Sequence, residues 1–201
     1  MDTFLQNLRS RTSEQHSLLE QNTASKNLLC QQVTVAHYAA YLSLLYGFLK
    51  GFENIVFPIL KYSITDIEAR RKTHLIVSDL NLLGIDEAGI ASIPDVFFSE
   101  VYSSNATALG GMYVLEGSVL GGAFIYKHLQ ATLGIEAITG RAKYFTVYGK
   151  ETGSQWKFFL QSFCLTSSGM EEEVIKSASQ TFSILHSWFN TTSFQLSNHE
   201  S

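Results

Sequence analysis

The chain has 201 residues, 45% of them hydrophobic and 16% charged, which is enough apolar material for a sizeable core and excludes a disordered segment. Its formal net charge of −4 argues against a general nucleic-acid binder, whose footprint is basic. Cys30 and Cys164 are the two cysteines; they make neither a disulfide framework nor a CxxC site and read as reduced thiols.

The opening stretch "MDTFLQNLRSRTSEQHSLLE" has polar residues where a secretory signal carries its hydrophobic region. Phe4, Leu8, Thr12, His16 and Leu19 follow helical steps, predicting a first helix over about residues 3–22. A second starts near Thr34 and runs through "YAAYLSLLYGFLKGFENIVF", with Pro58 close to its end. A third covers Asp66 to Leu83 and stops at Gly84. A short helix is expected to begin near Pro94 or Asp95. A glycine-rich helix follows from Asn105 to Leu133, ended by Gly134. Thr152 opens another, and the last runs from Met170 to Asn190 with Glu171, Glu172 and Glu173 in its first turn, where carboxylates suit the helix dipole. Residues 190–201 are expected to form a frayed tail.

No hairpin signals, repeats or linkers interrupt this pattern, so the expectation is an all-α fold in a single domain, 1–201. No unbroken apolar run reaches the roughly 18 residues of a membrane-span candidate, and Glu116 breaks the most apolar stretch. The expected location is the cytoplasm, with neither membrane nor nucleic acid as partner.

Two constellations carry chemistry. In the first helix Arg9, Thr12, His16 and Glu20 fall roughly on one face, with Arg9 about 10 Å from His16 along the axis. A metal-bound histidine usually has its second ring nitrogen held by a carboxylate, carbonyl or water, and Glu20 can serve. An ordinary His–Glu pair on the polar side of an amphipathic helix explains the same spacing. The second constellation is "YVLEGSVLGG" (Tyr113–Gly122), in which Gly117, Gly121 and Gly122 weaken a helix by roughly 1 kcal/mol each. Something approaches that backbone closely. Two readings stay open: a packed helix, or a flat, bulky cofactor lying against a helix that bends.

Taken in order, "LRSRTSEQHSLLE" (Leu8–Glu20), "RRKTHLIVSDLNLLG" (Arg70–Gly84), "YVLEGSVLGG" and "YGKETGSQWKFFL" (Tyr148–Leu160) resemble segments of the heme oxygenase family, in particular its bacterial, bacteriophytochrome-associated type. The resemblance implies heme held between the first helix and the kinked glycine-rich helix. Heme would be both cofactor and substrate: with molecular oxygen and external electrons its ring opens to biliverdin, releasing CO and ferrous iron. It implies His16 as the iron ligand oriented by Glu20, Arg9 pairing with a heme propionate, and Thr12 and Leu19 in the proximal wall. Gly117, Gly121 and Gly122 would form the distal wall, Phe182 a pocket aromatic and Lys157 a second propionate contact. Implied partners are an electron donor such as ferredoxin or a flavin reductase, and a biliverdin-accepting bacteriophytochrome.

One position departs from the family. Mammalian-type members carry an aspartate just after the first distal glycine, holding a water that delivers protons. Here that position is Ser118, which offers a hydroxyl without charge. Ser118 keeps a second reading open, a non-catalytic heme-binding protein on the same fold. A thiaminase-type hydrolase would need Cys30 or Cys164 as nucleophile, and neither lies in a recognisable nucleophile setting.

Overall fold

The computed structural model describes residues 2–98 and 100–197. Among these residues the regular elements are all helical: α1 (Asp2–Glu20), α2 (Thr23–Leu29), α3 (Val35–Leu60), α4 (Thr73–Leu82), α5 (Glu87–Ser92), α6 (Asn105–Ser118), α7 (Gly122–Leu133), α8 (Ile135–Ile138), α9 (Thr152–Thr166) and α10 (Glu171–Ser197). The all-α expectation therefore holds. Local chemistry sets the starts. Thr34 and His37 form a reciprocal cap, the Thr34 hydroxyl accepting from His37 N at 3.1 Å and His37 Nδ1 accepting from Thr34 N at 3.3 Å. The Ser104 hydroxyl accepts from Thr107 N at 3.2 Å at the head of α6.

Four segments differ from the sequence reading. A seven-residue helix, α2, follows α1 because the Asn22 carboxamide caps it, accepting from Ala24 N at 2.8 Å. The helix predicted over 66–83 is a 3-10 turn, Ile67–Arg70, followed by α4. The break falls where Glu53 of α3 takes over the N-terminal cap, accepting from Lys72 N at 2.6 Å and Thr73 N at 3.1 Å. The short helix sits earlier than expected, as α5, because Asp86 caps it through Gly89 N at 2.8 Å. Pro94 and Asp95 instead lie in a non-helical stretch laid against α3, where Val96 N donates to Gly47 O at 3.1 Å. Finally, α10 continues past Asn190 to Ser197; residues 198–201 of the expected tail lie outside the described residues.

The glycine-rich stretch is two helices, α6 and α7, joined by a 3-10 turn over Val119–Gly121. Asn105–Leu133 is long and apolar enough to cross a membrane, but 56% of its most apolar window is buried inside the fold. It is a core helix. α10 packs along both α6 and α1, and α3 packs on α6 as well. The α10 residues Val174, Ala178, Phe182, Leu185 and Phe189 recur at helical spacing and are all buried. Close approach of α6 and α10 requires Gly110: a β-carbon there would lie 2.6 Å from Val174 O and 2.7 Å from Ala178 N.

The opposite side of α6 meets buried charge. Glu116 accepts from Arg70 Nη1 at 2.6 Å and from Lys72 Nζ, and Tyr148 donates to it at 3.2 Å. Arg70 also pairs with Asp66 at 2.7 Å. Burial acts to lower the Arg70 pKa, but the hydrogen bond to Asp66 and the charge of Glu116 outweigh it, so the guanidinium stays charged. Burial likewise raises the phenols: Tyr41 is pushed up to about 12, and Tyr38, Tyr102 and Tyr144 also rise.

Three outcomes follow from this packing. Gly110→Ala should cost about 1–3 kcal/mol, the usual penalty of overpacking against rigid neighbours, read as a lower urea midpoint; an unchanged midpoint contradicts the contact. Glu116→Ala should cost about 3–5 kcal/mol, because Arg70 and Lys72 would be left buried without a counter-charge. Chemical denaturation of that variant against wild type measures it. The raised phenols fix a sign for alkaline stability. An unfolded chain releases these protons near pH 10 whereas the native state retains them, so their contribution is intact below about 10 and falls as pH rises toward 12. Absorbance at 295 nm against pH should show these four phenols released together in a cooperative alkaline unfolding step rather than one by one.

Candidate functional site

A cavity of about 500 Å³ opens between α1 and α6, large enough for a bulky cofactor. One wall is α1, which contributes Arg9, Thr12, His16, Leu19 and Glu20. The facing wall is the end of α6, with Tyr113, Gly117 and Ser118, and the turn that follows, with Leu120. Phe182, Leu185 and Phe189 of α10 close one side, Tyr41 and Leu45 of α3 another. Tyr144 and Phe145, from the segment between α8 and α9, complete the lining with Trp156 of α9.

His16 is half-exposed, and its Nδ1 lies 3.6 Å from Glu20 Oε1, one helical turn on. At that length the pair is a contact rather than a hydrogen bond, with both side chains more than half exposed. The ring meets Phe182 edge-on, centroids 5.5 Å apart at 77°. Among the described residues no group of three or more His, Cys, Asp or Glu is placed to hold a metal ion. A lone imidazole over an apolar cavity suits iron whose remaining ligands come from a macrocycle. The residues present fit heme.

The polar edge is Arg9. Its charge acts on Tyr113, whose pKa is raised by burial and drawn partly back by that arginine. A guanidinium at the cavity rim suits a carboxylate. Thr12 is buried and donates its hydroxyl to Leu8 O at 2.8 Å within its own helix, so it offers the cavity no free proton. Ser118 similarly donates to Leu115 O at 2.8 Å, and Tyr144 OH lies 3.4 Å from Ser118 Oγ.

Three residues expected at the site lie elsewhere. Lys157 is exposed and does not line the cavity; its neighbour Trp156 occupies that face of α9, about 100° round the helix. Gly122 is a packing glycine, since a β-carbon would come within 2.6 Å of the Phe145 carbonyl oxygen. Gly121 is exposed, and a β-carbon there would meet nothing within 4 Å. Of the three glycines only Gly117 faces the cavity, where a β-carbon would lie 3.7 Å from the Trp156 ring.

Sequence reasoning missed the third wall. Tyr144 and Phe145 reach the cavity because Asp79 of α4, wholly buried, accepts from Lys143 N at 2.9 Å and Tyr144 N at 3.0 Å. Burial raises the Asp79 pKa, and these two backbone hydrogen bonds oppose the rise. A lone aspartate in the apolar helix "THLIVSDLNL" was the available signal, because a carboxylate there must find donors or stay exposed.

The comparisons with known proteins agree with this fold. The heme oxygenase family model matches residues 2–191. A heme oxygenase from Neisseria meningitidis, solved with NO and CO bound, superposes with a TM-score of 0.69 at 24% identity, covering 94% of this chain and 91% of that one. The heme oxygenase from Leptospira interrogans superposes with a TM-score of 0.77 at 15% identity, over 94% of this chain and 98% of that one. At these identities the likeness is one of fold. No curated protein sequence matches the chain. With the family model spanning nearly the whole sequence, the chain belongs to the heme oxygenase family.

Proposed function

We propose that this protein is an active heme oxygenase that opens the heme ring to biliverdin with release of CO and ferrous iron. The observation that carries the reading is an apolar cavity that His16 of α1 and the bare backbone of Gly117 both line. Bound heme would supply the hard chemistry itself, as both oxygen-activating cofactor and substrate. The protein's share is binding, orientation and proton handling.

His16 would hold the iron, with Glu20 beside its ring. A neutral imidazole lacks the electron push of a thiolate. Arg9 and Tyr113, at the rim, would hold a propionate. Phe182, Leu185, Phe189 and Phe145 exclude water from the porphyrin faces. Gly117 keeps the distal side low, since any side chain there would enter the cavity. The reading extends to a cytoplasmic location, to ferredoxin or a flavin reductase as electron donor, and to a bacteriophytochrome as acceptor of the product.

His16→Ala should abolish the histidine-ligated Soret spectrum and lower biliverdin formation by at least roughly a hundredfold, with thermal stability little changed because the ring is half-exposed. An unchanged spectrum would overturn the assignment. Aerobic turnover of the wild type with reductant separates the two functional readings. Biliverdin formation supports the enzyme, while intact heme after reduction in oxygen favours a heme-binding protein.

A further inference from the structure

Three buried phenols have hydroxyl partners within the protein. Tyr38 donates to Arg141 O at 2.9 Å, the Tyr102 hydroxyl lies 2.9 Å from Thr181 Oγ1, and that of Tyr144 lies 3.4 Å from Ser118 Oγ. Tyr41 differs. It is half-buried and lines the large cavity, and burial alone pushes its pKa up to about 12. Among the described residues none is hydrogen-bonded to its hydroxyl. Its ring is fixed, tilted on Phe145 at 6.2 Å and edge-on to Phe189 at 5.4 Å. A donor held in an apolar wall without a partner is unfavourable unless a ligand accepts from it.

Cross-links between α1 and α10 locate Tyr41 along the cavity. Arg11 pairs with Glu172 at 2.6 Å, the His16 ring meets Phe182, and Asn22 Nδ2 donates to Asn190 Oδ1 at 2.6 Å. The two helices therefore run side by side in the same direction. Tyr41 sits on Phe189, two turns beyond Phe182 and about 10 Å further along the axis. Arg9 lies two turns from His16 in the other direction. The cavity has a cationic end at Arg9 and a far end at Tyr41, with His16 between them.

We propose that Tyr41 donates a hydrogen bond to a lactam carbonyl of the ring-opened tetrapyrrole, making the far end of the cavity a product site that distinguishes the opened ring from the closed one. This rests on the reading of the cavity as a heme site. A propionate paired with Arg9 turns the opposite edge of the macrocycle toward Tyr41. In the closed ring that edge carries methyl and vinyl groups and a carbon bridge, none of which accepts a hydrogen bond. Once the bridge is cut, two lactam carbonyls stand in its place, and each is an amide acceptor. The closed ring meets only the aromatic surface of Tyr41; the opened one also engages its hydroxyl.

The test titrates the full chain with ferric heme and, separately, with two biliverdin isomers, one opened at the bridge opposite the propionates and one opened between them. Quenching of the fluorescence of Trp156, which lines the cavity, reports binding. Tyr41→Phe should weaken binding of the first isomer by roughly three- to tenfold, the size of one neutral hydrogen bond. Heme and the second isomer should bind as they do to the wild type. Equal losses for all three ligands, or no loss for the first isomer, overturn the assignment. Tyr41→Phe removes a hydroxyl that has no partner in the free protein, so its urea midpoint should match the wild type. Tyr38→Phe, one turn earlier on α3, removes a bonded hydroxyl; it should lower the midpoint and leave the ratio of biliverdin to heme affinity unchanged. A midpoint that falls as far in Tyr41→Phe as in Tyr38→Phe reveals a bonded hydroxyl and overturns the proposal. Failure of the wild type to give a His16-dependent Soret band overturns the heme reading itself, which a failed Tyr41 assignment leaves standing.

Discussion

Arg70 and Lys72 converge on a single carboxylate, Glu116, at a depth where all three are nearly inaccessible to solvent. Charges at such depth persist only when paired and hydrogen-bonded, so α6 cannot rotate about its axis without orphaning one of them. With Glu116 held to the cation side, the helical step of about 100° per residue turns Gly117 and Ser118 away from it. That places them on the cavity wall. The same junction breaks the helix predicted over 66–83, since its cations must turn inward while Glu53 caps the start of α4. One buried ion cluster thus sets the register of the distal wall and the position of the helix that carries Asp79.

Asp79 does for the third wall what Glu116 does for the second. A carboxylate buried in an apolar helix needs donors, and the backbone N–H groups of Lys143 and Tyr144 supply them. A segment with little regular structure is pinned to α4, and Tyr144 and Phe145 are delivered to the cavity. Two acidic residues outside the cavity therefore position groups within it. The cavity itself stays largely apolar, with a half-exposed His16 on its wall.

The glycines sort into separate tasks that their spacing did not distinguish. Gly110 and Gly122 admit neighbouring backbone, from α10 and from Phe145 respectively. Gly117 faces the cavity, and Gly121 lies exposed at the bend. Of the two readings left open at the sequence level, close packing holds at Gly122, while Gly117 borders an open cavity. The Lys157 assignment shows the same limit: a shift of one residue on α9 exchanges a lysine for Trp156 at the cavity.

Periodicity and capping chemistry are local, acting over one to three turns, and so the sequence by itself determined the all-α class, the starts of α1, α3, α6, α9 and α10, and the shared face of Arg9, Thr12, His16 and Glu20. The order of four family-like segments likewise stood in the sequence. Which face of α6 meets charge and which meets the cavity was decided only in the tertiary structure, because Arg70 and Lys72 lie more than 40 residues from Glu116. The reach of Asp79 to Tyr144, across 65 residues, was decided there too. Spacing along a chain can place side chains on one helix face, but no periodic pattern encodes which distant charge that face will bury.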